Sequence, residues 1–223
     1  IVGTDTWSVF KARQSLEIEW DKTKASKDSW QAFSAFAEAQ GQTGDKVVVD
    51  EGSVDAAFAD PDHKVLSQLY EYPYVSHLCL EPMNCTADFR TDEDGRDHLE
   101  LWLPTQSGPR VQDMAKSRYG LEKDQVSIHM KRMGGSFGRR TSQEYVIEAI
   151  ELSKRAGRPV KLTWNREDSV RYDFLREGGF TRIKGAVDAA GKVVAIEEHV
   201  IGVAPGGTPS RFTGPWPSAF PFS

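Results

Sequence analysis

The run Met133-Gly134-Gly135-Ser136-Phe137-Gly138 is followed by two arginines, Arg139 and Arg140. Glycines placed between a strand and a helix let main-chain N–H groups approach an anionic ligand with no Cβ in the way. Two guanidinium groups beside them add positive charge and forked donors suited to phosphate or another anion. Just beyond, Thr141-Ser142-Gln143-Glu144 reads as a capping box that starts a helix past the loop and leaves its first N–H groups facing it. The run is neither G-x-G-x-x-G nor G-x-x-x-x-G-K-[ST], so it lacks the fingerprints of dinucleotide and nucleoside triphosphate sites. The plain alternative is a tight turn that packs a strand against a helix.

Other residues with chemical potential are less organised. His63, His77, His98, His129 and His199 show no H-E-x-x-H or comparable spacing, so no protein-ligated metal is expected. His77 and Glu81 stand four apart in a stretch read as extended or irregular, where structural hydrogen bonding is the expectation. Ser136 and Ser142 have no nearby histidine in a triad-like motif, which leaves hydrolase chemistry without support. Glu167 and Asp168 read as charges at a strand exit, and Asp92-Glu93-Asp94-Gly95 as a solvated turn. Cys79 and Cys85 are too few to ligate a two-iron cluster or a structural zinc, and read as small core residues.

The elements that must position the glycine run are regular. Leu99, Leu101 and Leu103 alternate with polar or bulky neighbours as a strand ending at Pro104. Pro109 suits the first turn of a helix carrying Val111, Met114 and Ala115, which Gly120 closes. Val126, Ile128 and Met130 alternate as a second strand. Tyr145, Val146, Ala149 and Ile150 share a helix face stopped by Gly157, and Val160, Leu162 and Trp164 form a third strand. This β-α-β-α-β unit leaves open whether its strands are all parallel.

The flanks read more loosely. Ile1-Val2 and Leu16-Ile18-Trp20 are expected strands around a helix from about Thr6 to Gln14. A helix capped near Asp28 or Ser29 should carry Trp30, Phe33, Phe36 and Ala37 on one face and stop at Gly41. Another begins at Ser53, and Val65 to Tyr74 is extended. Residues 180–187 and 192–200 around Asp188–Gly191 read as a hairpin. No repeat or low-complexity tract is present.

With 223 residues, 39% of them apolar and 27% charged, the chain is long enough for one substantial core. A net charge of -5 argues against a dedicated nucleic-acid surface. No stretch has the roughly 20 apolar residues of a membrane-spanning helix. The start at Ile1 and the close among Pro215, Pro217 and Pro221 read as the ends of an excerpt from a longer chain.

Five segments, in order, resemble the large subunit of the xanthine oxidase family of molybdenum hydroxylases. Lys131 to Gly138 is similar to the family's glycine-rich segment, and Pro104-Thr105-Gln106 to its strand-end Thr-Gln. Ser76 to Ala87, with His77, Glu81 and Pro82, is similar to another family segment. Gly157-Arg158-Pro159-Val160-Lys161 through Asn165-Arg166-Glu167-Asp168 matches a strand and its charged exit. The stretch to Asp21 resembles the end of the hammerhead domain. Gly-Gly-Ser-Phe-Gly-Arg-Arg and Glu-Pro-Met-Asn-Cys-Thr-Ala look like the branch of isoquinoline 1-oxidoreductase and bacterial aldehyde oxidoreductases. Arg139, Arg140 and Thr141 stand where xanthine oxidases proper have Gly-Lys-Glu, so a purine substrate is not expected.

The resemblance implies an α+β fold with mixed sheets, divided into a hammerhead remnant over 1–23, a helical connector over 24–63 and the N-terminal part of a molybdopterin-binding domain over 64–223. It implies that a molybdenum-molybdopterin cofactor, in its cytosine dinucleotide form, is held by Gln106, Gly134, Gly135, Ser136, Phe137, Gly138, Arg139 and Arg140, with Gln106 meeting an oxygen ligand of the metal. No protein side chain need bind the metal. The implied reaction hydroxylates an electron-poor carbon of an N-heterocycle or aldehyde with oxygen from water. Electrons leave to [2Fe-2S] clusters in a small partner subunit. The family's catalytic glutamate has no counterpart motif here, so no catalytic residue is assigned and the 223 residues alone are expected to be inactive. The expected partners are that small subunit, the remainder of the large subunit and a small-molecule substrate. The compartment stays open between bacterial cytoplasm and periplasm. Two other classes stay open as well: a cofactor-free structural or assembly domain, and a nucleotide-binding module.

Overall fold

In the computed structural model, which describes residues 1–25, 29–39, 47–176 and 178–202, the chain divides into two units. The first joins Ile1–Asp21 to Ser76–Leu175, and the second joins Lys22–Val75 to the residues from Arg176 onward.

The first unit is built on a four-stranded sheet. β2 (Asn84–Thr91) and β3 (Asp97–Leu103) form an antiparallel hairpin, followed by α4 (Gly108–Tyr119) and β4 (Val126–Met130); α5 (Glu144–Ala156) then leads to β5 (Val160–Thr163). Their spatial order is β4-β3-β2-β5. β3 and β4 pair in parallel, while β2 runs antiparallel to both β3 and β5. The three expected strands therefore do share one direction, with a fourth, reversed strand between them. β2 is additional to the strands expected from the sequence, and its Cys85, Ala87 and Phe89 alternate inward as a half-buried strand requires.

One sheet face is covered by the two helices. Leu99, Leu101 and Leu103 of β3 meet Val111 and Ala115 of α4 and Tyr145, Val146, Ala149 and Ile150 of α5 in a single core. Full burial stabilises each leucine by about 2 kcal/mol. The Ser107 side chain accepts from Arg110 N to start α4, and left-handed Gly120 ends it. Ser153 is buried yet satisfied: its hydroxyl accepts from Phe89 N and donates to Arg158 O.

Two local expectations are corrected. The helix at the start is present as α1 (Thr6–Gln14), capped by Asp5, but Ile1-Val2 and Leu16-Ile18-Trp20 form no strands. Those apolar residues are exposed and pair with no strand among the described residues, and alternation without a partner makes no sheet. Glu167 and Asp168 lie in a helix, α6 (Arg166–Arg171), where Asn165 and Asp168 form a reciprocal capping box. Asp168 also takes a bidentate pair from Arg13 at 2.6 and 2.7 Å.

The second unit is an antiparallel sheet in the order β1-β6-β7, from β1 (Lys64–Tyr72), β6 (Gly179–Val187) and β7 (Val193–Gly202). α2 (Trp30–Ala39) packs Ala37, Trp30 and Phe33 on Phe180, Ile201 and Leu69. α3 (Val54–Ala59) begins after Ser53 as expected. The expected cap at Asp28 and the stop at Gly41 lie outside the described residues, while Ser29 Oγ accepts from Ala32 N. The chain is an α+β protein with one mixed and one antiparallel sheet. No helix among the described residues is long and apolar enough to cross a membrane.

Candidate functional site

Because β3 and β4 are parallel, the segments leaving their C-terminal ends emerge side by side, where open α/β sheets bind ligands. β3 runs out through Pro104 and Thr105 to Gln106, and β4 through Lys131 to the glycine run. Reversed β2 brings a third segment, residues 77–83, to the same end as its own approach.

These segments are joined by main-chain bonds. Gln106 N donates to Arg140 O at 3.1 Å, and Thr105 Oγ1 reaches the same oxygen at 3.3 Å. Tyr145 Oη, buried on α5, donates to Pro104 O. Glu81 N donates to Gly134 O at 3.1 Å, while Gly134 N donates to Glu81 Oε2 at 2.7 Å. A Cβ on Gly134 would stand 2.8 Å from Glu81 Cβ, so only glycine permits this approach. Arg166 fixes the approach segment from its far side by donating to Cys79 O and Leu80 O.

The loop keeps an unusual backbone. Gly135 and Gly138 have φ of +103° and +101°, and Phe137, with its ring exposed, has φ +55°. Left-handed φ in a bulky residue is a strained state held by its surroundings. The N–H groups of Gly135, Ser136, Phe137 and Gly138 find no acceptor among the described residues, and Ser136 Oγ is buried without a partner.

The two arginines depart from the sequence expectation. Both turn into the protein instead of toward the loop mouth, with exposures of 3% for Arg139 and 0% for Arg140. Arg139 pairs with Glu144 and, at 2.7 Å, with Asp173, and its guanidinium lies over Trp164 and Phe174. Arg140 donates to Gly135 O, Glu81 O and Glu81 Oε2 at 2.9 to 3.0 Å. Most of their donors meet internal acceptors, while Arg139 Nη2 and Arg140 Nη1 are buried without a partner.

The capping box also fails. α5 begins at Glu144 after Gln143, with no side-chain cap, because Glu144 faces Arg139 and Thr141 Oγ1 donates to Gly138 O. Burial pushes the Glu144 carboxyl upward, with the Arg139 guanidinium working against it. His77, expected to be structural, donates its main-chain N to Asp173 Oδ2 at 2.6 Å and sets its ring Nδ1 3.2 Å from Oδ1. Cys79 and Cys85 are buried free thiols, as expected. No three His, Cys, Asp or Glu side chains among the described residues converge as a metal site.

A glycine loop with four unpaired donors beside a strand-end glutamine is the arrangement on which comparison with known proteins bears. The family described as molybdopterin cofactor-binding domain matches residues 38–214. The chain belongs to that family. It is 28% identical over 209 residues to isoquinoline 1-oxidoreductase subunit beta of Brevundimonas diminuta, covering 90% of this chain and 26% of that protein. It is 29% identical to the membrane-bound aldehyde dehydrogenase [pyrroloquinoline-quinone] of Gluconacetobacter polyoxogenes, covering 88% of this chain and 25% of the relative. The chain thus spans about a quarter of the length of these curated relatives. Xanthine dehydrogenase/oxidase of Rattus norvegicus is also similar, at 28% over 156 residues, 69% of this chain and 11% of that protein.

Among solved structures, the fold resembles aldehyde oxidoreductase from Desulfovibrio gigas, with a TM-score of 0.56 at 23% identity over 66% of this chain and 16% of that one. Quinoline 2-oxidoreductase from Pseudomonas putida 86 gives a TM-score of 0.59 at 21% identity, over 66% and 18%. The α+β fold read from the sequence is that of these neighbours.

The residues present suit the cofactor of this molybdopterin-binding family. Phosphate and pterin oxygens and nitrogens need donors, and four free amides with a buried unpaired serine hydroxyl supply them.

Proposed function

We propose that this chain is the part of a molybdenum hydroxylase large subunit that holds one side of the molybdopterin cofactor. The observation that carries the reading is the bond from Gln106 N to Arg140 O, which sets the glutamine beside the loop whose amides are unpaired. The domain division at residues 23 and 63 stands on the sequence resemblance and is part of this proposal.

When bound, the molybdenum centre supplies the two-electron oxidation of a substrate C–H bond, with the new oxygen drawn from water. Gln106, whose side chain is exposed, would offer its amide to the cofactor and help to orient it. The amides of Gly135, Ser136, Phe137 and Gly138 anchor the cofactor, and the Ser136 hydroxyl completes its donor set. Arg139 and Arg140 act behind the loop. Phe137 offers an exposed ring at the loop tip.

The substrate is an aromatic N-heterocycle or an aldehyde, a class supported by the names of the two relatives that match most of the chain. We assign the cofactor its cytosine dinucleotide form, and the electrons to [2Fe-2S] clusters in a small partner subunit. Cys79 and Cys85, both buried, are too few to hold such clusters.

The test is molybdenum and pterin analysis of the full-length protein purified with its copurifying subunits, alongside Gln106→Ala. Near-stoichiometric molybdenum is expected, and the variant should lose at least tenfold in turnover before it loses metal. Protein lacking molybdenum and pterin would refute the reading; unchanged turnover at full loading would remove Gln106 from the site.

A further inference from the structure

We infer that Glu81 and Arg140 form a latch that sets the direction of the loop's free amides, making both of them positioning residues for the cofactor site. The inference rests on the function proposed above.

Arg140 is the hub. Its main-chain oxygen receives Gln106 N and Thr105 Oγ1, while its side chain donates to Gly135 O, Glu81 O and Glu81 Oε2. A single residue therefore ties the glutamine segment to the loop by its backbone and holds the loop by its guanidinium. Glu81 closes the ring: its carboxylate takes Gly134 N and Arg140, its own N–H reaches Gly134 O, and its other oxygen accepts from Asn84 Nδ2 at 2.9 Å.

The division of donors along the loop follows from this. Gly134 gives its N–H and carbonyl to Glu81, and Gly135 gives its carbonyl to Arg140. The next four N–H groups, from Gly135 to Gly138, are left over. A peptide plane fixed at its carbonyl cannot flip, so holding Gly135 O also fixes the N–H of Ser136 on the same plane. Two glycines at positive φ could otherwise relax to many conformations.

The bonds also show why the pair is more than core packing. Apart from Asn84, and Tyr145 beside the guanidinium, the polar contacts of both side chains end on the loop backbone, on the approach segment or on each other. With Arg140 fully buried and Glu81 32% exposed, removing Glu81 strands a charge, whereas replacing both by apolar side chains of similar volume removes that charge as well. That difference separates positioning from folding.

The experiment compares wild type, Glu81→Gln, Arg140→Met and the double variant Glu81→Met/Arg140→Met in the full-length protein. It reads molybdenum and pterin per protomer, the molybdenum(V) paramagnetic resonance signal and the melting temperature. The single variants should lose at least fivefold in cofactor content. The double variant should recover melting temperature toward wild type yet stay at least fivefold low in cofactor, with an altered signal from what remains. If the double variant loads within twofold of wild type and its signal is unchanged, the latch is refuted while the proposed function stands. If wild type itself carries no molybdenum or pterin, both fall together. If the singles do not fold, the double decides by the same criteria.

Discussion

Asp173 holds Arg139 by its Nε at 2.7 Å, with the two side chains 1% and 2% exposed. The same carboxylate accepts from Ser76 Oγ and His77 N, so three segments of the chain meet on one buried acid. Asp173→Asn leaves the Arg139 charge short of a counter-ion in a dry site. Breaking a buried pair on one side costs about 3–5 kcal/mol. Arg13→Ala removes the bidentate pair with Asp168, but Arg13 is 43% exposed and an exposed pair contributes about 1 kcal/mol or less. Urea denaturation of the two variants should show a large loss for the first and a small one for the second; equal losses would contradict the buried network.

Glu148 on α5 accepts from Trp164 Nε1 at 2.7 Å, and burial pushes its carboxyl up to about 7, with Glu144 and Asp168 adding to the rise. Its folded pKa thus lies above the unfolded one, and between the two the folded state binds more protons. Stability from this group is present at about pH 4 and falls as pH rises to about 7, with no further loss above. Glu148→Gln keeps the acceptor for Trp164 and should remove that slope. At pH 8 the variant should exceed wild type by on the order of 2 kcal/mol, with little difference at pH 4. Chemical denaturation across this range measures it; a constant difference between the two proteins would contradict the assignment.

Burial raises the Cys79 thiol and pushes Cys85 up to about 12. Both should resist thiolate chemistry in the folded state. An aromatic disulfide reagent at pH 8 should label neither in the native protein and both in denaturant. Rapid native labelling of Cys79 would mean that the segment before β2 opens.

Gly138 and Gly157 both have positive φ, at +101° and +62°. Gly157 only closes α5, and a Cβ there meets nothing within 4 Å; Gly138 belongs to the loop, and a Cβ there stands 3.6 Å from His77 Nε2. Alanine at either position should cost about 1 kcal/mol or somewhat more of stability. Only Gly138→Ala should also lower the cofactor content of the full-length protein. Equal content in the two variants would separate the loop backbone from cofactor binding.

The regular part of the first unit was legible because its periodicity and caps agree. Leucines at alternate positions, Pro109, Gly120 and Gly157 each marked an element or an end that the fold contains. β2 is less legible, because the alternation of Cys85, Ala87 and Phe89 is short, starts just after Pro82 and runs out into Arg90 and Thr91. Ile1-Val2 and Leu16-Ile18-Trp20 show the converse, since alternation says nothing about whether a partner strand exists. At the site, the glycine run could be found locally, but the roles of Arg139 and Arg140 could not. Their acceptors, Asp173 and Glu81, lie far away in sequence, and a guanidinium beside a glycine loop looks the same whether it faces a ligand or a buried carboxylate.

The reversal of β2 also sorts the molecule by tolerance to change. Its start lies with the chemistry, and its far end turns through Asp92–Arg96, five exposed residues closed by Asp92 N to Arg96 O. Nothing from the glycine loop or the strand-end glutamine reaches that tip. A short peptide spliced between Glu93 and Asp94 lengthens only a solvated hairpin, and loop lengthening of this kind is thermodynamically mild. The tip is therefore where a fluorophore or an affinity handle can be carried to follow the protein during cofactor loading.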